Sequence, residues 1–178
     1  MKHYFLLLLF FLCLSCVAIA PPRHVPEAGK SLIVGRLIFD GSDIDYLTVN
    51  LNGKAFENIE VVISHNHRDF KVKTVKEGLF YFLGDSSEIY RITGFNIKRS
   101  QGARTWSSLS KSLNEYNSVL AAGRGITYAG SYRWNVMGRS GNTFCYDEFV
   151  DVQSIFERNF PQSPWCNELW TNGYQRNR

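Results

Sequence analysis

The chain has 178 residues, which is long enough for one domain with a substantial core. Aromatic residues make up 15% of the chain, so a globally disordered protein is excluded. The net charge of +4 comes from twenty basic and sixteen acidic residues that are scattered along the sequence. Because no basic stripe or nucleic-acid-binding motif is visible, the sequence favours no nucleic-acid partner.

The N-terminus has the layout of a secretory targeting segment. Lys2 and His3 precede an apolar run from Tyr4 to Leu14, and no Asp, Glu, Lys or Arg lies between His3 and Pro22. A positively charged start followed by such a run is typical of a signal peptide. A membrane-spanning helix needs about twenty predominantly apolar residues, so an uncleaved anchor is the lesser alternative.

Three cleavage points are open in the stretch LSCVAIAPP. Cuts after Ala18 or Ala20 would follow the small-x-small pattern of ordinary signal peptidase and release a secreted protein. Alternatively, Leu14-Ser15-Cys16 closes the apolar run with a small residue and a cysteine, which resembles a bacterial lipoprotein signal. That resemblance implies a lipid on Cys16 and a mature chain that begins there.

The segment after the apolar run is rich in proline. Residues 20–30 (APPRHVPEAGK) hold three of the five prolines, and such segments are extended, semi-rigid spacers. We therefore expect a signal peptide over residues 1–15, a proline-rich tether over 16–30, a folded domain over 31–161 and a C-terminal tail over 162–178.

From residue 31 the sequence predicts short strands separated by turns, with no helical period between them. The predicted strands are 32–39, 46–51, 59–64, 70–75, 79–83 and 89–93, and the turn signals include Asp40-Gly41, Asn52-Gly53 and Glu77-Gly78. Strand 79–83 (LFYFL) is continuously apolar, which predicts burial on both faces. This spacing favours an antiparallel sandwich or barrel.

The segment KVKTVKEGLFYFLGDSSEIYRITGF is similar to prealbumin-like, or carboxypeptidase-regulatory-like, sandwich domains. There a strand leads through an acidic-Gly turn to an aromatic-rich strand, a short loop and a strand that contains Tyr. The matching residues are Val72, Thr74, Glu77, Gly78, Phe80, Phe82, Leu83, Tyr90 and Ile92. The resemblance covers about residues 31–97. It implies a mainly β, antiparallel, seven-stranded sandwich, often found on secreted or lipid-anchored bacterial proteins, and it implies no single activity.

The second half of the chain is less regular. Residues 100–117 are polar and predict a long surface loop with one helical turn, while residues 118–122 and 126–136 predict further strands. Asp151 is a candidate N-cap for one short amphipathic helix over 152–159, which ends before Pro161. Its apolar stripe is Val152, Ile155, Phe156 and Phe160.

Two cysteines remain if Cys13 and Cys16 are used in processing. An even pair in an exported chain favours one disulfide between Cys145 and Cys166, and two free buried thiols are the alternative. No Cys-x-x-Cys accompanies them, so the sequence does not favour zinc.

Few other residues suggest chemistry. His65 and His67 form an H-x-H with Asp69 nearby, which we interpret as a polar loop tip rather than a metal site. Trp106 and Trp170 lie in polar segments and are candidates for stacking on a sugar or anchoring a partner.

No catalytic constellation and no cofactor motif are visible, so the sequence predicts a non-enzymatic protein without a cofactor. We expect a lipid-anchored protein of the bacterial cell envelope that contacts the membrane through its anchor, with an envelope protein or a glycan as its partner. The alternatives are a secreted carbohydrate- or peptide-binding accessory domain and a hydrolase with a dispersed site.

Overall fold

A computed structural model describes residues 22–40, 59–98, 104–108, 118–137 and 140–174 of the chain. The predicted signal peptide with Cys13 and Cys16, the predicted strand 46–51 and the turn at Asn52-Gly53 lie outside these ranges. The described residues are mainly β, with one α-helix.

The strands are β1 (Lys30–Asp40), β2 (Ile59–His65), β3 (Arg68–Lys73), β4 (Leu79–Asp85), β5 (Ile89–Lys98), β6 (Arg104–Ser108), β7 (Ser118–Leu120), β8 (Gly125–Met137), β9 (Ser140–Tyr146) and β10 (Trp170–Asn172). A 3-10 turn (Lys76–Gly78) precedes β4, and helix α1 (Phe149–Asn159) lies between β9 and β10. The five strands predicted within the first two described ranges are therefore confirmed, with small shifts at their ends.

The strands form two five-stranded sheets. In the first sheet the order is β10-β8-β1-β4, and β9 also pairs with β8; in the second the order is β3-β2-β5-β6, and β7 also pairs with β5. The predicted count of seven strands is not confirmed, because the described residues alone contain ten.

The first sheet is mixed rather than antiparallel, which corrects the prediction. β1 pairs antiparallel with β4 but parallel with β8, and β10 is also parallel to β8. Parallel neighbours need a long crossover between them. Between β1 and β8 the second sheet supplies that crossover, and between β8 and β10 the crossover contains β9 and α1.

An inter-sheet core fills the space between the two sheets. Its members come from alternate positions of the facing strands, as the period of two in a strand requires. They include Ile33, Leu37, Val61, Ile63, Phe80, Ile92, Phe95 and Tyr132, all with less than 1% of their surface exposed.

A second apolar cluster, the outer cluster, covers the other face of the first sheet. It contains Leu32, Val34, Leu79, Ile126, Tyr128, Val152, Ile155, Phe156, Phe160 and Trp165. The first sheet therefore lies between the second sheet and α1. This explains why the strand 79–83 is continuously apolar, and its predicted burial on both faces is confirmed.

A β-bulge at Gly130 links the two clusters. The register of β1 on β8 shifts between Val34, opposite Tyr128, and Arg36, opposite Ser131. Gly130 takes a φ of 99°, which glycine adopts without steric cost. The extra residue reverses the alternation, so Tyr128 packs in the outer cluster whereas Tyr132 packs in the inter-sheet core.

Helix α1 begins three residues earlier than the sequence predicts. Glu148, not Asp151, occupies the N-cap position, and it makes no side-chain cap hydrogen bond. The amphipathic stripe is correct, since Val152, Ile155 and Phe156 are buried against the sheet. The prediction missed the first turn because Phe149 and Val150 precede the stripe that defined the helix.

Both ends of the described chain pack on the domain. Pro22 is buried, and the carbonyl of His24 accepts a hydrogen bond of 2.6 Å from the indole nitrogen of Trp165. In the predicted C-terminal tail, Trp165 is fully buried and residues 170–172 form β10. The polar segment 100–117 contains β6 where we predicted a surface loop; β6 pairs with the end of β5.

Candidate functional site

The turn between β2 and β3 carries the histidine motif. His65 ends β2 and pairs with Arg68, so Asn66 and His67 form a two-residue hairpin turn. Both turn residues have positive φ, 47° and 62°, as a type I′ turn requires. The motif HNHR therefore lies at one end of the second sheet, and the predicted loop tip is confirmed.

A polar pocket of about 250 Å³ lies beside this turn. Ser64 of β2 is directly opposite Arg91 of β5, which brings a residue distant in sequence next to the turn. The lining residues are Ser64, His65, Asn66, His67, Ile89 and Arg91. None of them carries a carboxylate.

Contacts on the core side hold His65 in place. Its ring stacks on Tyr90 with 4.4 Å between ring centroids and an angle of 22° between planes. Its Nε2 lies 3.1 Å from a carboxylate oxygen of Glu88. Tyr90 is itself buried, and its hydroxyl accepts a hydrogen bond from the backbone N–H of Asp85, so the wall of the pocket is supported by the core.

The donors on the solvent side are uncommitted. In the part of the chain that the structure describes, the side chains of Ser64, His67 and Arg91 make no hydrogen bond or ion pair. An arginine has five N–H donors and stays protonated at any ordinary pH. The pocket therefore offers a fixed positive charge and hydroxyl and imidazole groups to a ligand.

The end of the molecule that holds the pocket also exposes apolar side chains. Ile89 and Leu120 are paired across β5 and β7, and they are 53% and 41% exposed. Val25 and Leu169 are also exposed, and they lie close in sequence to the first residues of β1 and β10.

The structure does not bring His65, His67 and Asp69 together as metal ligands. Asp69 pairs with Ser64 on β2, one step beyond the turn. Within the described ranges, no group of three or more His, Cys, Asp or Glu side chains is placed to hold a metal ion.

A charged cluster that the sequence did not predict lies at the start of α1. The carboxylate of Glu148 accepts a 2.6 Å hydrogen bond from Arg133 and lies 3.8 Å from Arg36. The backbone N–H of Glu148 donates to the hydroxyl of Tyr128. Side chains from β1, β8 and the N-cap thus meet at one point, and their position between elements indicates that they fasten the helix to the sheet.

The two cysteines of the predicted disulfide are free and lie in different clusters. Cys145 pairs with Tyr132 on β8 and packs against the inter-sheet core, whereas Cys166 packs in the outer cluster. The first sheet therefore separates them. Sequence spacing alone gave no information on which face each thiol occupies.

The tryptophans occupy different environments. Trp170 packs edge-on against Phe149 and Phe156, so it contributes to the outer cluster more than to a free binding surface. Trp106 lies on β6 opposite Asn96, and its side chain is outside the described part of the structure. The strands that carry Trp106 and Trp170 belong to different sheets.

The predicted lipidation site, Cys16, also lies outside the described ranges. No helix among the described residues is long and apolar enough to cross a membrane.

Comparisons with known proteins identify no family. No family model matches the chain, and no curated protein matches it. Among solved structures, the chain is similar to a leucine-rich repeat protein from Bacteroides thetaiotaomicron VPI-5482, with a TM-score of 0.38 and 10% sequence identity. The likeness covers 62% of this chain and 12% of that chain, and it is too weak to carry an argument about fold or function.

Proposed function

We propose that this chain is an exported, lipid-anchored protein of the bacterial envelope that acts by binding and not by catalysis. The observation that carries the proposal is the charge-free apolar segment that ends at Cys16, shortly before the folded domain begins. The lipid on Cys16 would hold the domain at a membrane surface.

The packing of the N-terminal segment is consistent with a short tether. Since Pro22 is buried and the carbonyl of His24 is bonded to Trp165, the spacer between a lipidated Cys16 and the packed chain would comprise residues 16–21. Six extended residues span at most roughly 20 Å. An anchored domain would therefore stay close to the membrane, with the pocket beside His65 as its candidate binding site.

The topology supports the prealbumin-like class for the sandwich. Eight of the ten strands form two four-stranded paths, β4-β1-β8-β9 and β3-β2-β5-β6, with the first strand parallel to β8. Two packed sheets of this size support the two-sheet sandwich that we propose, and β7 and β10 are short additions to it. Such a sandwich is a scaffold for many activities, so the function depends on the site it carries.

A metabolic label tests the lipid anchor. When the exporting host is grown with an alkyne analogue of palmitate, we expect the wild-type chain to be labelled and membrane-associated. Cys16→Ser should abolish the label, because the thiol that accepts the lipid is removed. Cys13→Ser is the matched control, since it removes the neighbouring thiol and should leave labelling unchanged.

Two outcomes would contradict the anchor. One is an unlabelled wild-type chain in the culture fluid, which would support cleavage after Ala18 or Ala20 and the secreted alternative. The other is a Cys16→Ser chain that is labelled as strongly as the wild type.

A further inference from the structure

We propose that the pocket beside the β2–β3 turn, lined by Ser64, Asn66, His67 and Arg91, binds the anionic group of a small ligand, a phosphate or a carboxylate. The inference deepens the proposed binding role and rests on it, but it does not depend on the lipid anchor.

The geometry assembles donors from two strands and a turn. Ser64 and Arg91 face each other across the β2–β5 pair, and the left-handed conformations of Asn66 and His67 fold the turn beside them. Since Ser64, His67 and Arg91 have no partner in the described ranges, a ligand can bind them without breaking an existing interaction.

The charges around the pocket favour an anion. Two carboxylates are near: Glu88 is hydrogen-bonded to the ring of His65, and Asp69 is paired directly with Ser64 from β3, so it borders the pocket on the same face of the sheet without lining it. Arg91 is therefore the charged side chain that lines the pocket, whereas Arg68, opposite His65, lies at the same end of the sheet on the other face. Hydrogen bonds between a guanidinium and a phosphate or carboxylate are among the strongest in proteins.

The shape of the pocket restricts the size of the ligand. About 250 Å³ accommodates a phosphate or a single acidic sugar but not a large cofactor. Ile89 supplies an apolar patch, and its neighbour Leu120 extends that patch along β7. The ligand class is therefore a small molecule with one anionic group, beside which Ile89 offers an apolar contact.

Isothermal titration calorimetry on the mature chain in non-ionic detergent tests the inference. Inorganic phosphate, D-glucuronate and D-glucose are titrated separately at constant ionic strength. We expect at least one of the two anions to bind and D-glucose, which has the same sugar skeleton without the carboxylate, to give no heat of binding. The anion that binds distinguishes a phosphate ligand from a carboxylate ligand.

Three variants locate the binding. Arg91→Gln should weaken anion binding by roughly tenfold or more, because a charge-assisted hydrogen bond is lost. His67→Asn should also weaken it, since asparagine keeps the left-handed turn but lacks the imidazole. Arg124→Gln is the matched control: this arginine pairs with Glu168 outside the pocket lining and should change the affinity by less than twofold.

Three results would overturn the inference: no binding of either anion, D-glucose binding as tightly as D-glucuronate, or equal weakening by Arg91→Gln and Arg124→Gln. The titration is repeated on the Cys16→Ser chain. An unlabelled wild-type chain that still binds the anion would overturn only the anchor, and a labelled wild-type chain that binds neither anion would overturn only the ligand class.

Discussion

Gly35 lies directly against the ring of Phe80 in the inter-sheet core. A Cβ atom at Gly35 would lie 2.3 Å from Cζ of Phe80, which is far inside van der Waals contact. Phe80 is fully buried and packs near Tyr132, so the ring has little room to move. We expect Gly35→Ala to lower the free energy of unfolding by about 1–3 kcal/mol through overpacking, measured by urea denaturation.

A second glycine provides the control for that measurement. Gly123 lies in the loop before β8, and no atom lies within 4 Å of the position of an added Cβ. Gly123→Ala should change the free energy of unfolding by no more than about 0.5 kcal/mol. Equal destabilisation by the two substitutions would contradict the close packing of Phe80 on Gly35.

The two cysteines should behave as protected thiols. Burial raises the pKa of the Cys145 thiol to about 11, and burial also raises the pKa of Cys166. Because the thiolate is the reactive form, alkylation at pH 8 should be slow in the folded protein and rapid after unfolding. Mass spectrometry without a reductant should then find two labels on the mature chain. A chain that accepts labels only after reduction would instead contain the disulfide predicted from the sequence.

At the scale of elements, a hydrogen bond joins the N-terminal segment to the outer cluster. Trp165 donates its indole N–H to the carbonyl of His24, next to the exposed trypsin site at Arg23. Trp165→Phe removes this donor and should accelerate tryptic cleavage after Arg23. Mass spectrometry of short tryptic digests measures the rate. Segments with few contacts open most easily, so the variant should increase cleavage more at Arg23 than at other trypsin sites.

Trp170→Phe is the matched control for this experiment. Trp170 packs in the same cluster, but its indole nitrogen has no hydrogen-bond partner within the described ranges. We therefore expect the rate of cleavage after Arg23 to stay close to that of the wild type. If both variants accelerate cleavage equally, the general packing of the cluster, and not the bond to His24, protects the segment.

The C-terminal end of α1 is held to the turn before β4 by a carboxylate. Glu77 accepts hydrogen bonds from Arg158 at 2.7 Å and from Asn159 at 3.0 Å. Both hydrogen bonds lower the pKa of the Glu77 carboxyl group, and the bond from Arg158 contributes most. A lowered folded-state pKa means that the interaction stabilises the protein above the ordinary pKa of glutamate and is lost as the pH falls through the lowered value.

Glu77→Gln should therefore destabilise the protein at pH 7, and the difference from the wild type should shrink under acidic conditions. Thermal unfolding between pH 7 and pH 3 measures this trend. Glu157→Gln is the control, because among the described residues this exposed carboxylate accepts a hydrogen bond only from Gln153 of its own helix. A difference for Glu77→Gln that stays constant with pH would exclude the ionic contribution.

The elements differed in how well the sequence predicted them. Strands β2 to β5 could be predicted from alternation, a continuous apolar run and turn residues, because these are local signals that do not depend on which strand is the pairing partner. The parallel pairing of β1 with β8 could not be predicted, since alternation identifies the buried face but not a partner about ninety residues away. For the same reason the turn at His65 was visible in the sequence, whereas Arg91 was only a solvent-facing residue until β2 and β5 were paired.

At the scale of the whole molecule, the first sheet belongs to two cores at once. Its strands contribute one face to the inter-sheet core and the other to the outer cluster beneath α1. Removing the helix layer would expose Leu32, Val34 and Leu79 to water, and the burial of such side chains is the main favourable term in folding. We therefore expect the helix layer and the sandwich to unfold as one cooperative unit.

Two matched substitutions test this coupling. Phe156→Ala removes a buried ring from the outer cluster, and Phe95→Ala removes one from the inter-sheet core; each should cost about 3–5 kcal/mol. Hydrogen exchange of the β2 and β5 amides reports the opening of the second sheet, which lies on the far side of the first sheet from α1. If unfolding is global, Phe156→Ala lowers the protection of these amides about as much as Phe95→Ala does, although residue 156 packs in the other cluster. If the helix layer opens separately, Phe156→Ala leaves their protection unchanged, because the sandwich then keeps its own stability.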